Sequence, residues 1–176
     1  MAATKKTKAA RSAARETGRA SKPAPTAPDA IALLTADHRQ VDAWFDDYEA
    51  LAGDADKKAL ADRICVALKV HTQIEEEIFY PPAREATGDA DLLDEAVVEH
   101  AGAKNLIAEI EAMQPGQPLY DAKVKVLGEQ VRHHVEEEET ELFPEVRETS
   151  LNLEDLGARL AARKAELMAL LAPPAA

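Results

Sequence analysis

The stretches HTQIEEEIFYP (residues 71–81) and HVEEEETELFP (residues 134–144) carry one pattern twice. In each, His is followed by Glu four residues later and by Pro ten residues later. The i, i+4 spacing places imidazole and carboxylate on one face of a helix, one turn apart. Steps of three and four lead into both pairs, through Ile64, Leu68, His71 and Glu75 in the first copy and Leu127, Val131, His134 and Glu138 in the second. The polar pairs therefore continue apolar stripes of helical period, which makes both segments helices that turn these groups toward a core.

The same period extends over most of the chain. A first helix is expected from an N-cap at Asp29, with Ile31, Leu34, Val41, Phe45 and Tyr48 inward, to near Gly53. A second runs from about Asp56 to Tyr80 with Leu60, Ile64, Leu68, Ile74 and Ile78 inward, and Pro81-Pro82 ends or kinks it. A third spans about Asp89 to Met113 with Leu93, Val97, Ile107 and Ile110 inward, and Pro115-Gly116-Gln117-Pro118 breaks the chain after it. The fourth starts near Leu119, turns Val124, Leu127 and Val131 inward, and meets Pro144. The reading is all-α, an up-down-up-down four-helix bundle over residues 29–149. Residues 150–172 add an amphipathic helix, with Leu153, Leu156, Leu160, Leu167 and Leu170 on one side, that packs on the bundle. Composition agrees: apolar residues reach 46% with only 4% aromatics and 7 Gly, a helical profile that does not suit a β-sandwich or barrel.

The net charge of −12 is unevenly placed. Residues 1–28 hold Lys5, Lys6, Lys8, Arg11, Arg15, Arg19 and Lys22 against Glu16 alone, a balance of +6. The rest of the chain carries −18, which disfavours nucleic acid and anionic membrane as partners. The Ala-, Lys- and Pro-rich segment 1–28 has no apolar period and reads as a disordered basic tail. Its composition also resembles an organellar transit peptide, although it lacks the apolar region of a secretory signal. No apolar run approaches the roughly 20 residues of a membrane span. The single Cys65 fits a reducing compartment, and the expected location is the cytoplasm.

Each bundle stripe is interrupted by ionisable groups: His38 in the first helix, His71 and Glu75 in the second, His100 in the third, His134 and Glu138 in the fourth. His71 and Glu75 lie 10 and 6 residues before Pro81, and His134 and Glu138 lie 10 and 6 before Pro144. His38 and His100 sit about nine and eleven residues into their helices, so all six fall in one layer at 1.5 Å rise per residue. A lone histidine here would ordinarily be a hydrogen-bonded core residue. Six groups agreeing in level, face and repeat need a shared cation to offset their burial. The acids Glu76, Glu77, Glu137 and Glu139 are expected on a solvated face or in outer hydrogen bonds.

With these residues in view, the order Asp37-His38, His71-xxx-Glu75, Glu99-His100, His134-xxx-Glu138 resembles the hemerythrin-like family with its HHE cation-binding domain. Ferritin-like bundles use a different spacing, Glu-xx-His. The resemblance implies a non-haem di-iron centre closed by an oxo or hydroxo bridge. His38 and His71 would then ligate one iron, His100 and His134 the other, and Glu75 and Glu138 would bridge. Oxygen carriers of the family have a further His where this chain has Lys104, while His133 lies about 100° off the ligand stripe and is expected outward or in contact with the ligands from outside, with His134 the ligand. Imidazole with carboxylate also suits Mn or Zn. No Ser-His-Asp set, phosphate loop or thiolate motif is present, so any chemistry falls to the metal. The expected role is binding or reaction with O₂, NO or peroxide in sensing, scavenging, stress response or iron handling. Two rivals are a di-iron peroxidase or catalase-like enzyme and a metal-free helical interaction module.

Overall fold

The computed structural model describes residues 1–2 and 28–171, so nearly all of the basic tail lies outside the described residues. Helix α1 runs over Ala30–Ala50 and opens on Asp29, whose carboxylate accepts the Ala32 N–H. Helix α2 covers Asp54–Ile74, followed by a wide π-turn over Glu75–Phe79 and by α3, Tyr80–Thr87. Helix α4 spans Ala90–Glu111 with Asp89 as its N-cap. Helix α5 covers Tyr120–Glu137, followed by a second π-turn over Glu138–Leu142 and by α6, Phe143–Glu148. Helix α7 is Leu153–Leu171. No strand occurs among the described residues, and no helix among them is long and apolar enough to cross a membrane.

Pro115 and Pro118 lie in the break between α4 and α5, whereas Pro81-Pro82 and Pro144 do not end the helical course. At both repeats the helix passes through a π-turn and continues, with Pro81-Pro82 and Pro144 in the first turn of the next segment. There the missing proline N–H leaves nothing unsatisfied. The Tyr80 N–H reaches back to the Glu75 carbonyl and the Phe143 N–H to that of Glu138, the i→i+5 bonds of one inserted residue. Both insertions begin at the carboxylate of the repeat, Glu75 or Glu138, a placement typical of functional positions.

Consecutive bundle helices pack as neighbours and α1 also packs on α5, which closes the four-helix arrangement. Helix α7 lies against α1 and α2. Its approach is closest at Gly157, where a Cβ would lie against the Pro28 carbonyl oxygen and 2.8 Å from the Ala30 nitrogen, so only glycine fits. Two stripes differ from expectation. In α4 the inward residue is Ala96 and Val97 is 42% exposed, because the stripe keeps to Leu93, Ala96, His100, Ala103 and Ile107. In α7 Leu170 is exposed, in a final turn beyond Leu167, the last residue of the helix to join the core.

The core is divided. One apolar cluster gathers Ile31, Leu34, Ile74, Phe79, Leu93, Leu142, Phe143 and the α7 leucines at one end. A second gathers Val41, Phe45, Ile64, Leu68, Ile107, Val124 and Leu127 at the other. Between them lies a layer in which the buried ionisable side chains are His38, His71, Glu75, His100, His134 and Glu138.

Candidate metal centre

All six ionisable residues singled out from the sequence meet in this layer, each at most 7% exposed. They form two groups. Ligand atoms of His38, His71, Glu75 and Glu138 lie within 4.8 Å of one another, as do those of Glu75, His100 and His134. Within each group two imidazoles face each other, His38 Nε2 to His71 Nε2 at 3.1 Å and His100 Nε2 to His134 Nε2 at 3.1 Å. Glu75 spans both groups, with Oε1 3.2 Å from His71 Nε2 and Oε2 3.4 Å from His100 Nε2. Glu138 Oε2 stands 3.3 Å from His38 Nε2 and 3.7 Å from His134 Nε2.

The outward nitrogens explain why the inward ones are available. His38 Nδ1 donates to Glu139 at 3.0 Å, His100 Nδ1 to Glu76 at 3.0 Å and His134 Nδ1 to Glu99 at 2.8 Å. His71 Nδ1 faces Asp37 at 3.6 Å, beyond hydrogen-bond reach. These four acids form a ring of one sense. Asp37 of α1 backs the histidine of α2, and Glu76, just past α2, backs that of α4. Glu99 of α4 backs the histidine of α5, and Glu139, just past α5, backs that of α1. A carboxylate on Nδ1 fixes the tautomer whose Nε2 lone pair points inward, the arrangement of metal-binding imidazoles.

The interior is thus a cage of acceptors. Glu75 Oε1 and Oε2 and Glu138 Oε2 are buried without a hydrogen-bond donor. Spacings of 3.1–3.7 Å among the inward atoms are those of neighbouring ligands about 2.0–2.2 Å from one ion. The donor set, imidazole with carboxylate, suits first-row divalent metals. In the metal-free chain protons answer the negative charge. Burial pulls the His71 pKa down, but the Glu75 carboxylate, Asp37 and Glu138 outweigh it and push it up to about 10. Burial likewise opposes the charged form of His134, and Glu99 and Glu138 raise its pKa regardless. His100 goes the other way, lowered by burial more than Glu75 raises it.

Three surroundings of the site are absent from the sequence reading. Tyr80 donates to Glu138 Oε1 at 2.9 Å and stacks on His100 with ring centroids 5.5 Å apart. Burial and then the Glu75 and Glu138 charges hold its pKa well above the usual phenol value, so it stays a donor. Phe143, at the equivalent place of the second repeat, stacks on His38 at 5.8 Å. Lys164 of α7 pairs with Asp37, which ties the fifth helix to the centre. The aromatic residue before each proline was the available signal for the stacking, whereas nothing in the spacing points to Lys164. Lys104 reaches Glu76 at 2.6 and 2.7 Å and so acts on His100 through that acid. His133 faces outward as expected, 62% exposed.

Beside the histidines lies a small cavity of about 30 Å³, walled by Val41, Leu68, Ala103, Val131 and Val135, with Thr72 and Gln130 as further polar neighbours. Among the described residues all four buried histidines line it.

Known proteins bear on this arrangement in three ways. A solved structure of a hemerythrin HHE cation binding domain-containing protein from Mycobacterium kansasii superposes with a TM-score of 0.70 at 22% identity, over 81% of this chain and 89% of that one. A protein of Nostoc sp. described as a DNA nickase is 29% identical over 115 residues, which is 65% of this chain and 32% of that protein. The family model for the hemerythrin HHE cation binding domain matches residues 29–146, the whole bundle up to Val146. The protein is a metal-cation-binding member of the hemerythrin HHE domain family.

Proposed function

We propose that the chain holds a pair of iron ions bridged by Glu75 and Glu138, and that this centre binds or reacts with O₂, NO or peroxide. The observation that supports two ions is Glu75, whose two orphaned oxygens face separate histidine pairs. His38 and His71 would hold one ion, His100 and His134 the other. Iron supplies redox chemistry and affinity for small oxygen- and nitrogen-containing ligands. The chain supplies the rest. Glu76, Glu99 and Glu139 orient the imidazoles, Tyr80 donates to Glu138, and valine and leucine side chains narrow the cavity beside them. A cavity of about 30 Å³ exceeds the roughly 10–15 Å³ needed to admit one water but is far smaller than the pockets of drug-sized ligands, which favours a diatomic or peroxide-sized ligand over a larger substrate. The role would be sensing, scavenging or iron handling in the cytoplasm. DNA nicking is not carried over from the relative, since the shared part is 32% of that protein and the body here is strongly acidic.

Iron content and near-ultraviolet absorption after anaerobic Fe(II) loading and exposure to air test this reading. Two irons per chain with charge-transfer bands are expected. No iron retained, with thermal stability indifferent to chelator, would overturn it. Sustained oxygen release on adding peroxide would replace ligand binding by catalase-like turnover.

A further inference from the structure

The fourth acid of the ring differs from the other three. Asp37 pairs with Lys164, Glu76 with Lys104 at 2.6 Å and Glu139 with Arg39 at 2.7 Å. Glu99 pairs with no Lys or Arg among the described residues. Opposite its free oxygen stands His133, with Nε2 3.8 Å from Glu99 Oε1 and 3.4 Å from Glu137 Oε1. Ligand atoms of these three side chains lie within 4.8 Å of one another, the same closeness as in the buried groups. The carboxylates are 23% and 25% exposed while the imidazole is 62% exposed, so the cluster opens to solvent from a sheltered base. At 3.8 Å His133 and Glu99 are too far apart to hydrogen bond. That spacing suits two ligands about 2.0–2.2 Å from a shared ion.

We propose that Glu99, His133 and Glu137 form an outer divalent-cation site that passes its ion to the buried centre. One imidazole and two carboxylates suit Fe(II), Mn(II) or Zn(II), and three protein ligands leave room for water, which makes the ion exchangeable. Glu99 joins the two sites, because its Oε2 accepts from His134 Nδ1 at 2.8 Å while Oε1 faces outward. An ion there takes the place that lysine or arginine occupies at the other three acids. The −18 body raises the local concentration of divalent cations around it. The delivery role rests on the buried centre holding iron; the outer site itself does not.

Mn(II) titration of the full chain separates the two. Free Mn(II) is counted by electron paramagnetic resonance, and broadening of the His133 imidazole signals locates the bound ion. Iron-loaded protein is expected to take one Mn(II) per chain with His133 broadened first. His133→Ala and Glu137→Gln should each weaken that ion about tenfold or more, the scale on which even outer partners of a metal act. Both variants should slow Fe(II) uptake while leaving final iron content unchanged, and Glu141→Gln, an exposed acid further along, should alter neither. Equal Mn(II) binding in wild type and His133→Ala, or a sharp His133 signal with Mn(II) bound, overturns the site. Unchanged uptake rates overturn delivery. Should the centre hold no iron, the same titration on the iron-free chain reads the outer site as the Mn(II) that His133→Ala and Glu137→Gln weaken, apart from any Mn(II) in the buried centre, which they leave in place.

Discussion

Chelating the metal should cost this protein a large part of its stability, and the structure sets the scale. Three carboxylate oxygens, Glu75 Oε1, Glu75 Oε2 and Glu138 Oε2, are buried without donors in the metal-free chain. Each such atom costs about 1–3 kcal/mol, or about 3–9 kcal/mol together. Protonated His71, 3.2 Å from Glu75, offsets part of this, so the lower end, about 3 kcal/mol, is the working figure. Against a total stability of about 5–15 kcal/mol that fraction is substantial. A chain of this size melts about 2–4 °C lower per kcal/mol, so chelation should lower Tm by about 6–12 °C. The assay is thermal unfolding by far-ultraviolet circular dichroism, with chelator and after anaerobic Fe(II) loading. Glu75→Gln keeps the shape but supplies an amide donor to the facing imidazoles. It should leave the metal-free Tm unchanged or higher while abolishing the increment from metal. Equal melting with and without iron, or a full increment in Glu75→Gln, would refute the claim that the cage is built around a cation.

The metal-induced rise in Tm should also grow with pH, measured between pH 6.5 and 9. The His71 pKa, raised from about 6.5 unfolded to about 10 folded, stabilises the metal-free chain fully below the lower value. That contribution is lost as pH rises toward the upper value, while the proton that metal must displace becomes easier to remove, so both effects widen the gap. Ala103→Leu should fill the cavity and weaken NO binding by about 1–3 kcal/mol in a spectroscopic titration, with iron content unchanged. Gly157→Ala should lower the urea midpoint by an amount equivalent to about 1–3 kcal/mol despite alanine's helix preference, because its Cβ meets backbone that cannot yield.

The bundle and the gathering of six groups were legible because both depend on period and level, which a sequence states outright. Steps of three and four placed His38, His71, His100 and His134 among apolar residues, and 1.5 Å per residue brought them to one height. The π-turns were not legible. Whether Pro81 stops a helix or rides through it depends on one inserted residue, and local preference does not register that residue. Val97 was misplaced because it outranks Ala96 in hydropathy, although Ala96 is the residue in step with Leu93 and His100. Glu76 and Glu139 looked like solvated acids with an outer bonding option. Their actual partners lie on other helices, 24 and 101 residues away, so sequence spacing could not assign them. Lys164 is further still from legibility, since its link to Asp37 requires knowing where α7 docks.

The ring of acids has a consequence for topology. Four antiparallel helices with similar apolar stripes can close with the second helix on the left of the first or on the right, and hydrophobic contact discriminates weakly between the two. Here every acid faces the histidine of the following helix in the same rotational direction, three of them within hydrogen-bond reach. In the mirror arrangement each acid would stand on the side away from its imidazole, and four histidine Nδ1–H groups would face apolar neighbours or water. The residues that ready the cage for a cation therefore also choose the winding sense of the chain.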